Sequence, residues 1–319
     1  MTPQSSLLQW YKKHGRHNLP WRTTDNPYHI YLSEIMLQQT QVKTVLERFY
    51  FPFLERFPTL SDIAESHLDD VLKMWEGLGY YTRARNLHNA ARQCYGILPT
   101  NAHDLIQLSG IGRSTAHAIA AFAYRESLPI LDANVIRIHQ RYFSLKERDE
   151  KKLWHYAYTL FDSTHPFEYN QAMMDVGSSV CIAKNPLCSI CPFELWCEGK
   201  ENPLSYPEPK TKKIKPIRTR NIIIYQRDNR YALIQRESRF LHGLWGFCET
   251  DNTLPQNTIS IGHITQHYSH FTLDADVYLC KEDFNEEVYE WFDLSEIEKL
   301  SLSRADHKAV ALLGYNSKK

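Results

Sequence analysis

Cys181-Ile-Ala-Lys-Asn-Pro-Leu-Cys188-Ser-Ile-Cys191-Pro-Phe-Glu-Leu-Trp-Cys197 places four thiols inside seventeen residues, in the spacing C-x6-C-x2-C-x5-C. A run this tight can wrap one metal centre in a single excursion of the chain, and four soft thiolates suit zinc or an iron–sulfur cluster. The other three cysteines, Cys94, Cys248 and Cys280, are scattered and show no comparable spacing. Disulfides are the competing reading. The chain opens Met1-Thr-Pro-Gln, without a charged-then-apolar leader. A cytoplasmic chain with reduced thiols is therefore expected, and the run reads as a metal site.

Around this loop the composition is that of a globular protein. A length of 319 residues suggests about two domains, each large enough for its own core. No apolar run approaches a membrane span, so no membrane association is expected. The 37 basic and 37 acidic residues cancel, which argues against an indiscriminate polyanion binder. The balance is local, however: residues 80–148 hold nine Lys or Arg against four acids, enough for a positive face that binds phosphates.

Residues 1 to about 200 read as helix after helix. From Pro27 to Phe51, apolar residues recur at three- and four-residue steps with no internal Gly or Pro, which predicts a long helix. Similar patterns recur near 69–76, 84–95, 114–124 and 151–161. From Asn202 to Arg220 four prolines and a run of Lys and Arg resist packing and predict a linker. Beyond it, Ile222–Tyr225 and Tyr231–Ile234 flank a hairpin signal at 226–230. Asp276–Cys280 and Val288–Phe292 read as further strands and 303–313 as a closing helix. The second part is thus α+β.

Leu108-Ser-Gly110-Ile-Gly112 lies between two helical segments and leads into Arg113-Ser114-Thr-Ala. Two glycines one residue apart let the backbone turn tightly and approach a ligand, and the free amides of the next helix point at the turn. This is the helix-hairpin-helix pattern, with Gly110, Gly112 and Arg113 as candidate contacts to a DNA backbone.

The hairpin, then Ile130-Leu-Asp132-Ala-Asn134, then the cysteine loop together resemble the endonuclease III superfamily of base-excision DNA glycosylases. The likeness is nearer to its adenine DNA glycosylase branch, of the MutY type. It is carried by Leu19–Arg22, Leu32–Val42, Gly77–Asn86, Asn170–Asp175 and the cysteines, across nearly all of residues 1–200. The resemblance implies a multidomain fold. Residues 1–202 would form an all-α catalytic region, with a six-helix module at about 28–131. The N-terminal helix and 132–202 would form the module holding one 4Fe-4S cluster on Cys181, Cys188, Cys191 and Cys197. A connection at 203–218 would lead to a Nudix-like lesion-recognition domain at 219–319.

Cleaving an N-glycosidic bond needs a proton for the departing base and a negative group facing the developing cation, the two-carboxylate logic of glycoside hydrolysis. The resemblance supplies Glu34 and Asp132. Glu34 lies among Ile35, Met36 and Leu37, where burial would keep it protonated as the acid. It would protonate adenine at N7, and Asp132 would stabilise the cation. Asp132 also precedes a helical stretch and could be only its cap. Bifunctional relatives have a Schiff-base lysine at the position of Ser114, so a monofunctional glycosylase leaving an intact abasic strand is expected. Taking a base out of the stack leaves a gap, and Gln39 and Tyr80 match the residues that fill it. Trp21, Arg22, Asn134 and Gln171 match positions around the base.

In the second domain Leu244–Phe247 and His267-Tyr268-Ser269-His270-Phe271 match a domain that recognises 8-oxoguanine, with Ser269 and His270 the expected contacts. Tyr268 stands where other relatives have Phe, His117 where a small residue is common, and the stretch from Glu249 to Gly262 is short. His117 reads as a phosphate contact or a surface histidine. The acid-rich Nudix box is missing, so no diphosphatase activity is expected. The implied partner is duplex DNA with A opposite 8-oxoguanine or G, bound by a monomer that is nucleoid-associated if bacterial.

Overall fold

A computed structural model of the chain describes residues 1–208, 214–251, 254–281 and 288–316. Part of the expected linker, including Lys210, Lys212 and Lys213, lies outside the described residues, as do residues 252 and 253 of the short stretch after Glu249. The chain divides into two compact units, residues 1–64 with 89–211 and residues 65–88 with 212–319.

In chain order the first helices are α1 (Pro3–His14), α2 (Pro27–Leu37), α3 (Val42–Arg48), α4 (Tyr50–Arg56), α5 (Leu60–Glu65), α6 (Leu68–Met74) and α7 (Thr82–Gln93). There follow α8 (Ala102–Leu105), α9 (Arg113–Tyr124), α10 (Ala133–Tyr142), α11 (Glu150–Leu160) and α12 (Pro166–Ser179). Thr2 caps α1 through a capping box, Asn26 accepts from the Tyr28 amide at the start of α2, and Asp149 caps α11. The core of the first unit gathers Leu7 and Tyr11 of α1 with Phe122, Val135, Leu153 and Met173, and Phe193 of the cysteine loop packs into it.

The long helix expected from Pro27 to Phe51 is three helices. The chain leaves α2 at Gln38 and adopts a left-handed conformation at Gln39, with φ 58°. The run Gln38-Gln-Thr-Gln41 supplies no apolar side chain to hold the helix to the core, so periodicity on either side concealed the break.

In the second unit the strands are β1 (Ile217–Arg227), β2 (Arg230–Gln235), β3 (Trp245–Gly246), β4 (Cys248–Thr250), β5 (Thr258–His267), β6 (Thr272–Cys280) and β7 (Glu290–Phe292). They form one mixed sheet in the order β3-β2-β1-β6-β5, with β4 on β1 and β7 on β2. The expected hairpin is present and tighter than its signal. Arg227 pairs with Arg230, and Asp228 and Asn229 both take positive φ, a two-residue turn whose twist suits the strands. The strand expected at 288–292 is only Glu290–Phe292. Strand β5 escaped the sequence reading because a bulge between Ser260 and Gly262 breaks its alternation. Two helices, α13 (Leu294–Ile297) and α14 (Arg304–Asn316), complete the unit, and Ala305, Ala309 and Leu313 of α14 cover the sheet core. Among the described residues no helix is long and apolar enough to cross a membrane.

Residues 65–88 belong to this second unit through many polar links. Asp69 accepts from Gln235 Nε2 at 2.7 Å and from Trp245 Nε1 at 3.3 Å, Lys73 Nζ donates to the Leu300 carbonyl, and Arg85 donates to the His242 carbonyl. The Tyr81 hydroxyl donates to the Leu302 carbonyl.

Candidate active site

Glu34 stands on α2 between the buried side chains of Ser33 and Ile35. Part of its surface remains open, but the protein crowded around its carboxyl pushes its pKa up to about 7. Burial is the larger cause and the negative field of Asp132 adds to it, while Arg22 opposes both. Arg22 itself is buried and donates from both terminal nitrogens to Asp175, at 2.8 and 2.9 Å. Burial alone would raise the Asp175 carboxyl, but Arg22 and Arg16 hold it below the usual range. Trp21, in the short turn Pro20–Arg22, packs edge-on against Tyr50.

Asp132 is the N-cap of α10, accepting from the Val135 amide at 2.7 Å. The cap reading and the site reading therefore describe the same residue. Burial holds its carboxyl above the ordinary range, and the amides of Val135 and Asn134 with the field of Arg137 oppose that rise only in part. Asn134 turns Nδ2 towards Asp132 at 3.4 Å, and its Oδ1 accepts from Arg137, which also donates to the Cys181 and Gly177 carbonyls. The segment entering Asp132 is pinned on two sides. Ser114 Oγ accepts from the Leu131 amide at 3.0 Å, and Asn170 accepts from the Ile130 amide while donating to the Leu128 carbonyl. Gln171 is buried beside it on α12, and its Oε1 has no hydrogen-bond partner among the described residues.

In the glycine turn, Gly110 takes φ 76°, which a side chain would strain. Gly112 does not need its freedom: at φ −84° it is the N-cap of α9, and a Cβ there would meet open space. The amides of the first turn of α9 have no side-chain cap, so this end of the helix is open to an anion. Arg113 is exposed and stacks 4.0 Å over the Trp154 ring. His117 is neither of the two things expected of it. It is buried, with Nδ1 2.7 Å from the Pro129 carbonyl oxygen and its ring edge-on to Trp154, and burial lowers its pKa. Gln39 is exposed at the break after α2, and the neighbouring Gln38 reaches Thr115 at the start of α9.

Cys181, Cys188, Cys191 and Cys197 are free thiols and line one small cavity with Arg141. Burial first, then the other thiols, push Cys191 up to about 12 and Cys197 to about 11. Four such thiols ionise together only against a compensating cationic centre, which is the donor chemistry of a metal or iron–sulfur site. As they stand, no three His, Cys, Asp or Glu among the described residues are drawn together to ligand distance of a single ion. Arg141 ties the loop down, donating to the carbonyls of Ile182, Ala183 and Pro203 and to Cys181 Sγ.

Tyr80, Ser269 and His270 lie in the second unit and line one cavity. Tyr80 is 47% exposed with φ 51°, so it is not a core aromatic, and Arg83 lies 5.5 Å from its ring centre. Ser269 and His270 are hydrogen-bonded to each other at 2.9 Å.

Residues 32–159 match the profile of the HhH-GPD superfamily base excision DNA repair proteins, and residues 221–312 that of the NUDIX domain. The adenine DNA glycosylase of Buchnera aphidicola subsp. Acyrthosiphon pisum is 33% identical across 95% of this chain and 95% of its own length. The chain belongs to the adenine DNA glycosylases. It is accordingly an enzyme, a hydrolase of N-glycosyl bonds, built as a helix-hairpin-helix core with a Nudix-like sheet domain. The adenine DNA glycosylase of Buchnera aphidicola subsp. Baizongia pistaciae is 42% identical over 62% of this chain, which is 58% of that relative's length. A solved thermostable thymine-DNA glycosylase is 28% identical and superposes on 62% of the chain and 94% of its own, with a TM-score of 0.57.

Several residues that build this glycosylase site were not singled out from the sequence. Asp175 stood at the end of a quoted motif, but only the fold reveals that it locks Arg22. Arg137 follows Asp132 at a helical spacing, i and i+5, that carries no contact rule of its own.

Proposed function

We propose that the enzyme removes adenine mispaired with 8-oxoguanine or guanine from duplex DNA and leaves an abasic site with the strand intact. The observation that carries this reading is Glu34 on α2, held at about 7 by burial first and by the negative field of Asp132 second. An acid at that value is still substantially protonated at neutral pH and gives its proton up readily, as a general acid must. Glu34 donates its proton to N7 of adenine, the bond from C1′ to N9 breaks, and its electron pair leaves with the base. Asp132, at the start of α10, faces the positive charge left on the sugar. Water then adds at C1′ and returns a proton to Glu34.

Asn134 holds Asp132 in place, Trp21, Arg22 and Gln171 bound the base pocket, and Gln39 and Tyr80 fill the gap left in the stack. Gly110, Gly112 and Arg113 grip the backbone through the open start of α9. Ser114 has no amine with which to form a Schiff base, and this supports the monofunctional reading. Ser269 and His270 contact the base opposite. The four cysteines would hold one 4Fe-4S cluster, whose contribution is to neutralise the thiolates and brace the loop that begins at Cys181. Residues 1–202 serve as the catalytic region and 219–319 as the recognition domain, joined by 203–218, in a monomer acting on DNA in the cytoplasm.

Incubation with duplexes carrying A opposite 8-oxoguanine, A opposite G, A opposite T and thymine glycol opposite A tests this. Cleavage only at adenine facing 8-oxoguanine or G, and only after alkali, is expected. Scission at thymine glycol without alkali would refute it.

A further inference from the structure

The cavity holding Tyr80, Ser269 and His270 encloses about 880 Å3, more than a single base requires, and its wall carries a charge that base reading alone does not explain. Arg85, Lys215, Arg239 and Arg304 line it, and no Asp or Glu among the described residues does. Three other arginines of the unit are matched with carboxylates, Arg236 with Asp306 and Glu249, Arg230 with Glu296 and Arg220 with Asp251, while Arg218 and Arg227 lie over the rings of Phe271 and Trp291. The cations of the cavity have no carboxylate partner among the described residues. Arg239 makes no hydrogen bond or ion pair among the described residues. Lys215 spends one donor on the Tyr268 carbonyl, and Arg304 makes a single 3.5 Å contact with the Gly77 carbonyl. Arg85 differs, because the His242 carbonyl and the Thr82 hydroxyl engage both its terminal nitrogens.

The surroundings of these cations are aromatic. Phe240, next to Arg239, packs edge-on against Tyr268 at 5.0 Å and His270 at 5.4 Å, so the loop that presents Arg239 also braces the Ser269–His270 pair. Lys215 belongs to the basic run after the prolines and reaches this wall from the start of the sheet domain. Unpaired cations interleaved with ring faces fit a polynucleotide strand, whose phosphates alternate with flat bases.

We propose that Lys215, Arg239 and Arg304 form a backbone grip on the strand carrying the base opposite the target adenine. They hold phosphates flanking that nucleotide while Ser269 and His270 meet its base. The proposal rests on the assignment of Ser269 and His270 as readers of that base. The division of labour follows from chemistry: phosphate contacts position a strand and carry no sequence information, whereas base-edge contacts discriminate.

The test uses the full-length, cluster-loaded protein and duplexes with a 2′-fluoro-substituted adenosine, which resists cleavage, facing 8-oxoguanine or guanine. Binding is titrated over a series of salt concentrations for K215Q, R239Q, R304Q, their triple combination and the S269A/H270A pair. Each cation removed should lower the slope of log Kd against log salt by about 1, so that a four-fold rise in salt costs about 3.5-fold less affinity per site. The loss should be equal for both opposite bases. A triple variant with the parental slope, or one weakened for only one opposite base, would overturn the grip. An S269A/H270A pair that keeps the parental preference for 8-oxoguanine would instead overturn the reader assignment, whatever the salt slopes.

Discussion

At Glu34 opposing pressures act on one proton. Burial and the field of Asp132 favour the neutral acid, and Arg22 favours the carboxylate. Excision measured in single turnovers should therefore fall about tenfold per pH unit above the titration near 7, and Glu34→Gln should cost about 100-fold or more while leaving DNA binding intact. Folding carries the same signature with a fixed sign. The folded pKa lies above the ordinary 4.5, so the native state binds this proton more tightly. The stability it contributes is present in acid and lost as the pH rises from about 4.5 through about 7. Urea melts at pH 5 and 8 should show Glu34→Gln cancelling roughly 2 kcal/mol of that change. Ser114 has a second measurable duty besides lacking an amine. Ser114→Ala leaves the Leu131 amide unpaired beneath the catalytic turn, at a cost of about 1–2 kcal/mol in the same urea melts. From the sequence, Glu34 and Asp132 are singled out only through the family resemblance. Their electrostatic coupling is not legible there, since they are 98 positions apart in the chain and only the packing of α2 near the start of α10 relates them.

Between elements, α12 comes close to α10, where a Cβ on Gly177 would stand 2.6 Å from the Asn134 Cβ. Gly177→Ala forces the helices apart at the residue that steadies Asp132, and a loss of about 1–3 kcal/mol is expected, with excision slowed more than binding. Arg22→Ala leaves Asp175 buried without its bidentate partner. Arg16 still pairs with it, at 2.6 Å from its side chain and 2.8 Å from its amide, so thermal melts should register a cost of about 1.5–3 kcal/mol, that of the lost charge-assisted hydrogen bonds. Periodicity located most helices well, because an apolar stripe facing a core is a strong signal. It failed at Gln38–Gln41, where the run of polar residues is too short to disturb the pattern but long enough to end a helix, and at β5, where a bulge hides the alternation. The quoted motif Asn170–Asp175 lies within α12, with Asn170, Gln171 and Asp175 all buried, a placement that spacing alone could not tell from an ordinary core helix.

For the whole molecule, the cysteine loop and the catalytic turn are joined through Arg137, which donates to the Cys181 carbonyl and to Asn134. With the proposed cluster on the four thiols, a Cys188→Ser variant should lose its visible absorption and open residues after Cys181 to protease, with excision falling in parallel as α10 loses its brace. The grouping of residues 65–88 with the sheet has a larger consequence. The chain leaves the first unit after Ala64, returns at Asn89 and ends in the second, so the sheet unit is built from two separate stretches of the chain. A chain stopped at residue 208 strips Asp69, Lys73 and Tyr81 of their partners and should melt several degrees lower than the full chain. The same interleaving puts Tyr80 in one compact unit with Ser269 and His270, around a shared cavity. On the proposed reading, the side chain that fills the stack and the pair that meets the opposite base would then be assembled or lost together whenever that unit folds or melts.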